Sequence, residues 1–343
     1  MTAALITGVA GETLSEAERA FFKDVRPAGL ILFSRNCKTA AQIRALVDEV
    51  RAAAGVETFL VLIDQEGGRV QRLKPPLARL LPPAAAYGSL YTHDRSAGRA
   101  AAFAAARVAA EQLRALGINT NCAPVLDVPV PGSHQIIGDR AYGASPAQIV
   151  DLAREVANGL MAGGVVPVIK HIPGHGRATA DSHLDLPVVT TSQSDLTTSD
   201  FAPFKALAYL PAAMTAHVVF TAIDGQAPAS TSEIVTRDII RGAIGFGGLL
   251  MSDDLSMKAL AGPMRTRAES VIRAGSDVAL HCNGDLDEMR AAAEGVPVLK
   301  GIALRRLESA YAVTKRKLSF DVAEAERLLT MVETRHAASP ESV

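Results

Sequence analysis

Short apolar runs alternate along the chain with longer stretches in which apolar positions recur at helical spacing. Eight runs read as buried strands: 4–7, 29–33, 60–63, 119–125, 166–169, 212–216, 249–252 and 278–281. The stretches between them carry helix start signals. Ser15-x-x-Glu18, Thr39-x-x-Gln42 and Ser145-x-x-Gln148 have the spacing of capping boxes, and Pro146 falls in a first helical turn. The Ala-rich stretch 99–116 predicts a long helix, amphipathic through its Arg and Glu positions. Eight β/α alternations predict a single-domain α/β fold, the (β/α)₈ TIM barrel, over residues 1–333, with a polar tail at 334–343. A doubly wound open sheet is the alternative. No G-x-G-x-x-G follows the first run, so a dinucleotide fold has little support. Neither an internal repeat nor a Pro/Ser-rich linker divides the chain.

Composition narrows the partners. Apolar residues make up 48% and charged ones 21%, as in a globular chain, and the net charge is −1 with no long basic run. Nucleic acid and anionic membranes are thereby disfavoured as main partners. No apolar run reaches membrane-spanning length, and no basic region precedes a long apolar stretch near Met1, so the expected location is the cytoplasm. Cys37, Cys122 and Cys282 are odd in number and far apart, which fits small reduced thiols rather than a disulfide framework.

In a (β/α)₈ barrel, active groups sit just past the strands, and here polar residues cluster there. The second run leads to Arg35-Asn36, the third to Asp64-Gln65-Glu66 with Arg69 and Arg72, and the fourth to Asp127. The fifth leads to Lys170-His171, the sixth to His217, the seventh to Asp253-Asp254 and the eighth to Asn283. Such a mixture of charges suits a polyhydroxylated ligand, because each sugar hydroxyl both donates and accepts. Of the Asp pair, Asp253 is read as chemical, a nucleophile for an anomeric carbon, and Asp254 as structural.

Asp181 and His183 lie two positions apart, so an extended loop would let the carboxylate fix the imidazole as a general acid/base. Pro173, Gly174 and Gly176 make this loop turn-rich, which predicts that His183 moves into place when substrate binds. His171, His175, His183 and Asp181 lack a recognised metal-ligand spacing, so no metal is expected. Asp64, Arg72 and Arg140 read either as pocket ligands or as a salt-bridge network at the barrel mouth, Lys170 as a substrate ligand or the partner of a barrel carboxylate, and His217 as a pocket group or a satisfied core histidine.

Four motifs occur in order. They are Ile63-Asp64-Gln65-Glu66-Gly67-Gly68-Arg69-Val70, Asn121-Cys122-Ala123-Pro124-Val125-Leu126-Asp127-Val128, Lys170-His171-Ile172-Pro173-Gly174-His175-Gly176 with Asp181-Ser182-His183, and Met251-Ser252-Asp253-Asp254-Leu255-Ser256-Met257. Together they resemble bacterial β-N-acetylglucosaminidases (β-hexosaminidases) of glycoside hydrolase family 3, over about residues 5–318. Ile172 stands where the family often has Phe, and Ala141-Tyr142 where it often has Ser-Phe after the Arg. The resemblance implies a retaining exo-glycosidase without cofactor or metal, in which Asp253 is the nucleophile and His183 the acid/base oriented by Asp181. It implies Asp64, Arg72, Arg140, Lys170 and His171 as sugar ligands. The implied substrate is GlcNAc-1,6-anhydro-MurNAc, with or without peptide, in peptidoglycan recycling, and hence a part in cell-wall biogenesis, cell shape and division. A monomer is expected. The alternatives are a phosphorylase of β-GlcNAc glycosides, catalysis assisted by the substrate's own acetamido group, and a non-catalytic sugar-binding barrel.

Overall fold

The computed structural model describes residues 1–178, 182, 185–316 and 318–337. Eight parallel strands close on themselves in chain order, as the periodicity predicts: β1 (Ala3–Thr7), β2 (Pro27–Leu32), β3 (Leu60–Ile63), β4 (Thr120–Asn121), β5 (Val166–Ile172), β6 (Ala212–Thr215), β7 (Leu249–Asp254) and β8 (Val278–His281). Helices return the chain after each strand. They are α1 (Glu16–Val25), α2 (Ala40–Ala54), α3 (Ala84–His93), α4 (Arg95–Ala115), α5 (Pro146–Ala162), α6 (Gln193–Thr198), α7 (Phe201–Ala206), α8 (Met264–Arg273), α9 (Leu286–Glu294), α10 (Gly301–Ala312) and α11 (Val322–Ala337). Between β6 and β7 the helical segment Val235–Ala243 is wound as a π-helix. No helix among the described residues is long and apolar enough to cross a membrane.

Strand alternation sorts the apolar side chains into two sets. Ala4 and Ile6, Leu60 and Leu62, Val166 and Val168, Ala212 and Met214, Leu249 and Met251, and Val278 and Leu280 pack together as one buried cluster inside the barrel. Leu299, Leu307, Ala310 and Val313, on and around α10, join this cluster. The intervening residues Leu5, Val61, Ile63, Ile169, Ala213, Leu250 and Ala279 belong to the larger cluster between strands and helices. Strands buried on both faces are near-continuous in apolar residues, which is why they stand out as runs.

Strand 4 is shorter than its run predicts. Pro124 has no N–H to give to a ladder, so the regular strand ends at Asn121. The Pro124 carbonyl still accepts the Lys170 N–H at 3.2 Å, and Val125 bridges to Lys170. Strands 5 and 7 are longer than predicted and run into the polar residues. Both carry a register shift, between Lys170 and Ile172 against β6 and between Met251 and Asp254 against β8.

The caps differ in kind. Ser15 and Glu18 form the reciprocal box, with Glu18 N–H donating to Ser15 Oγ at 3.2 Å and Ser15 N–H to Glu18 Oε2 at 2.9 Å. Thr39 caps α2, but Gln42 Oε1 accepts from Lys38 N–H instead of closing the box. Ser145 makes no side-chain cap. Gln148 donates instead to the carbonyls of Gly88 and Tyr142, tying α5 to α3. The long helix α4 is capped by Asp94 and begins at Arg95. Its Arg107 departs from the amphipathic pattern. Only 1% exposed, it reaches past the small residues of α5 to Glu111, the Leu318 carbonyl and the Phe320 ring.

Candidate active site

The alternation that fills the barrel also builds its mouth. One step beyond Leu60 and Leu62 comes Asp64, beyond Val166 and Val168 comes Lys170, and beyond Leu249 and Met251 comes Asp253. The three meet in a cavity of about 440 Å³ at the C-terminal ends of the strands. A larger groove, about 850 Å³, lies outside the barrel between α4, α5 and α11 and gathers none of these residues. The register shift in β5 sets two residues against one on β6, and such bulges re-aim side chains beside active sites. Both Lys170 and His171 therefore line the cavity, together with Arg72 and Arg140. The sequence candidates Asp64, Arg72, Arg140, Lys170, His171 and Asp253 are thus in one place. Asp181 and His183 lie outside the described residues. Ser182, between them, lines the cavity.

The charges form a continuous chain. Arg72 Nη2 donates to Asp64 Oδ2 at 3.0 Å, and Lys170 Nζ to Asp64 Oδ1 at 2.9 Å. Lys170 Nζ lies 2.6 Å from Glu66 Oε1, and Arg140 forks onto both Glu66 oxygens at 2.8 Å. Burial opposes charge on Asp64 and Glu66, but their cationic partners outweigh it and hold both carboxyls below their ordinary values. Lys170 and Arg140 are likewise raised despite burial, by these same carboxylates. Of the two sequence readings of Asp64, Arg72 and Arg140, the salt-bridge network is present, and the three residues also line the cavity, as the reading as pocket ligands requires. Glu66 was not singled out as a site residue. Its signal was its same-face spacing from Asp64, two residues away.

Asp253 stands apart from this chain. Its Oδ1 accepts the Asp254 N–H at 2.8 Å, and no other described residue donates to its carboxylate. Burial works against its charge, but His171, His217, the Asp254 N–H and Lys170 together leave its carboxyl below the ordinary value. An ionised carboxylate with a free oxygen, facing a cavity, is equipped to attack an electrophilic carbon. Asp254 is spent on structure, as its sequence reading has it: it accepts from Ser256 N–H and Oγ–H and from Cys282 N–H.

Supporting groups surround the cavity. His217 is a satisfied core histidine, its Nε2–H donating to the Asp254 carbonyl at 3.0 Å and its Nδ1 accepting from Ser230 Oγ at 2.7 Å. Asn36 is buried on the Val9 and Gly11 carbonyls, and Arg35 donates to the carbonyls of Val9 and Cys282. Arg69 gathers the carbonyls of Gln135, Ile136 and Ile137 and pairs with Asp139, holding Ile136 and Ile137 as a wall of the cavity. Asn283 also lines the cavity. His175 is buried beside His171, and burial followed by the neighbouring His171 lowers its pKa to about 4.

The loop after β5 leaves no space against the loop after β4. A Cβ on Gly176 would stand 2.0 Å from the Val128 oxygen and 2.3 Å from its carbonyl carbon. Because the obstacle is backbone, the G176A variant is expected to lose about 2 kcal/mol of stability, read as a lowered urea midpoint at constant m-value.

A closed parallel barrel with a polar, charge-paired pocket and, among the described residues, one carboxylate with a free oxygen at its C-terminal mouth defines a (β/α)₈ enzyme of the carbohydrate-acting kind. Comparison with known proteins narrows the class. Residues 4–313 match the family model described as the glycosyl hydrolase family 3 N-terminal domain. The chain is 40% identical over 283 residues to a protein named beta-hexosaminidase from Alkalilimnicola ehrlichii, covering 81% of this chain and 80% of that one. It is 41% identical over 277 residues to a beta-hexosaminidase from Methylococcus capsulatus, covering 80% of each. Among solved structures, NagZ from Neisseria gonorrhoeae in complex with N-trifluoroacetyl-D-glucosamine superposes with a TM-score of 0.84 at 31% identity, over 97% of this chain and 98% of that one. The chain belongs to glycosyl hydrolase family 3.

Proposed function

We propose that the protein is a retaining exo-β-N-acetylglucosaminidase. It removes terminal β-linked N-acetylglucosamine from GlcNAc-1,6-anhydro-MurNAc, with or without peptide, in peptidoglycan recycling, acting as a cytoplasmic monomer. Asp253 attacks the anomeric carbon while the leaving oxygen takes a proton from His183, giving a covalent glycosyl-enzyme. His183 then removes a proton from water, which displaces Asp253 and releases the sugar with its β configuration restored. Asp181 orients His183. Asp64, Arg72, Arg140, Lys170 and His171 bind the sugar hydroxyls.

The observation that carries this reading is Asp253, the buried, ionised carboxylate whose second oxygen has no protein donor among the described residues. Family membership and the beta-hexosaminidase names of the relatives support the sugar and the linkage. A chain of pre-paired charges supports recognition of hydroxyls, since each cation and carboxylate is already held in place when the ligand arrives. Three free cysteines, far apart in the sequence, accord with a reducing compartment.

The test is hydrolysis of 4-nitrophenyl β-N-acetylglucosaminide followed by proton NMR. The expected first product is the free β-anomer, in phosphate buffer as in any other. Sugar 1-phosphate would make the protein a phosphorylase, the α-anomer would exclude retention, and binding without turnover would leave a sugar-binding barrel.

A further inference from the structure

Asp127 is fully buried and is not among the residues that line the barrel-mouth cavity, yet it gathers three donors from the exit of β5. Its Oδ1 accepts the backbone N–H of His171 at 3.2 Å and of His175 at 2.7 Å. Its Oδ2 lies 2.7 Å from His171 Nδ1. Burial opposes its charge, but His171 and the hydrogen bonds keep its carboxyl below the ordinary value, so it is an acceptor only. The proton between it and His171 therefore belongs to Nδ1.

We propose that Asp127 is a positioning residue that fixes His171 as the Nδ1–H tautomer and so presents Nε2 to the cavity as a bare acceptor. The ligand group that meets His171 must then be a donor, such as a sugar hydroxyl or an amide N–H. This complements Lys170, Arg72 and Arg140, which supply donors in the same cavity. The same carboxylate ties the ring to the loop that follows, because Oδ1 holds His175 as well as His171. His175 in turn lies 3.3 Å from Ser182 Oγ through Nε2, and Ser182 is held from the far side by Ala259 N–H on its carbonyl. One buried group therefore sets both the hydrogen-bonding polarity of the pocket and the start of the loop.

Asp127→Asn separates these two duties. The two backbone N–H groups need an acceptor, so they keep the amide oxygen at the Oδ1 position and turn the amide NH₂ toward His171. That NH₂ cannot accept from Nδ1–H, and the ring must shift its proton to Nε2. The scaffold bonds survive while the pocket acceptor becomes a donor.

The measurement is the ¹⁵N spectrum of imidazole-labelled protein at alkaline pH, with the His171 signals assigned among eight histidines by their loss in His171→Gln. The wild type is expected to carry its proton on Nδ1 and D127N on Nε2, with KM for the aryl glycoside raised about tenfold and kcat changed less. A wild-type proton on Nε2, or an unchanged tautomer in D127N, overturns the proposal. If D127N does not fold, the wild-type spectrum alone carries the test. Only the kinetic arm rests on the glycosidase reading. A protein without turnover would defeat that reading and leave the tautomer result standing.

Discussion

Asp253→Ala is expected to lower kcat for an aryl β-N-acetylglucosaminide by about 10⁴-fold, equivalent to about 5.5 kcal/mol of transition-state stabilisation, without lowering the melting temperature. The two halves of this expectation have one cause. In the folded enzyme Asp253 is 6% exposed and, among the described residues, takes a single hydrogen bond, from the Asp254 N–H. A carboxylate so placed has lost most of its hydration, and its neighbours, the Asp254 N–H and Lys170 among them, keep it ionised. Removing it relieves a desolvation cost and, among the described residues, leaves no buried donor orphaned except the Asp254 N–H, so stability is not the quantity that falls. Chemistry is, because the alanine enzyme has no group to form the glycosyl-enzyme. Azide should restore part of the rate with an activated leaving group. It would enter from the face the carboxylate occupied and displace the phenolate, giving an α-configured glycosyl azide. A 2-fluoro or 5-fluoro sugar should label the wild type on Asp253 and leave the variant unlabelled. A variant that retains the wild-type rate, or a label on another residue, would remove Asp253 from the nucleophile's role. Turnover in the wild type with no trapped adduct would shift the mechanism to the acetamido-assisted path.

The distinction between Asp253 and Asp254 shows how far the sequence could be read. Adjacent residues on a strand face opposite ways, and the parity of Leu249 and Met251 by itself assigns Asp253 to the interior. The same count from Leu60 and Leu62 assigns Asp64, and from Val166 and Val168 assigns Lys170. The barrel was legible for the related reason that its strands are apolar on both faces.

What escaped was the part that breaks periodicity. Past Lys170 the register slips, and His171 faces the cavity although parity would turn it outward. Past Pro124 there is no regular strand to count along, so Asp127 was visible only as a polar residue near a strand end, without a role. Arg140 sits on a short 3₁₀ turn, Gly138–Arg140, far along the chain from the strand before it, where strand parity assigns nothing. Its partner Glu66 explains that position: the guanidinium reaches back across the mouth to a carboxylate that has no other fork. The half-made box at Thr39 and the missing cap at Ser145 carry the same lesson on a smaller scale. Gln42 and Gln148 had the right spacing, but tertiary carbonyls and neighbouring turns offered them better partners than the helix end did.

The second large effect is expected at Lys170, and it is one of stability. Lys170 is 2% exposed and its ammonium joins two carboxylates, Asp64 at 2.9 Å and Glu66 at 2.6 Å. Lys170→Met keeps the length of the side chain and deletes the charge between them. Breaking a buried pair from one side costs about 3–5 kcal/mol, because the remaining charge is left in a medium that solvates it poorly. Here two carboxylates are left, each still held by one arginine but facing the other. The pH dependence identifies the cause. In the wild type Asp64 and Glu66 have lowered carboxyl pKa values, so their contribution is complete above the unfolded values of about 3.9 and 4.3 and is lost as pH falls through the folded ones. Lys170 is raised, so its contribution is complete below about 10.4 and is lost only as pH climbs through its folded value. Wild-type stability from this network is therefore flat from about pH 5 to pH 9. In the variant, burial and mutual repulsion push at least one carboxyl above its unfolded value. That group takes up a proton on folding, and the variant gains stability as pH falls from 7 toward 5 while the wild type does not. Urea unfolding at pH 7 and pH 5 should show the difference between the two proteins narrowing at the lower pH. A difference that stays constant would mean that the loss comes from packing around the methionine, and not from the two carboxylates that Lys170 holds together.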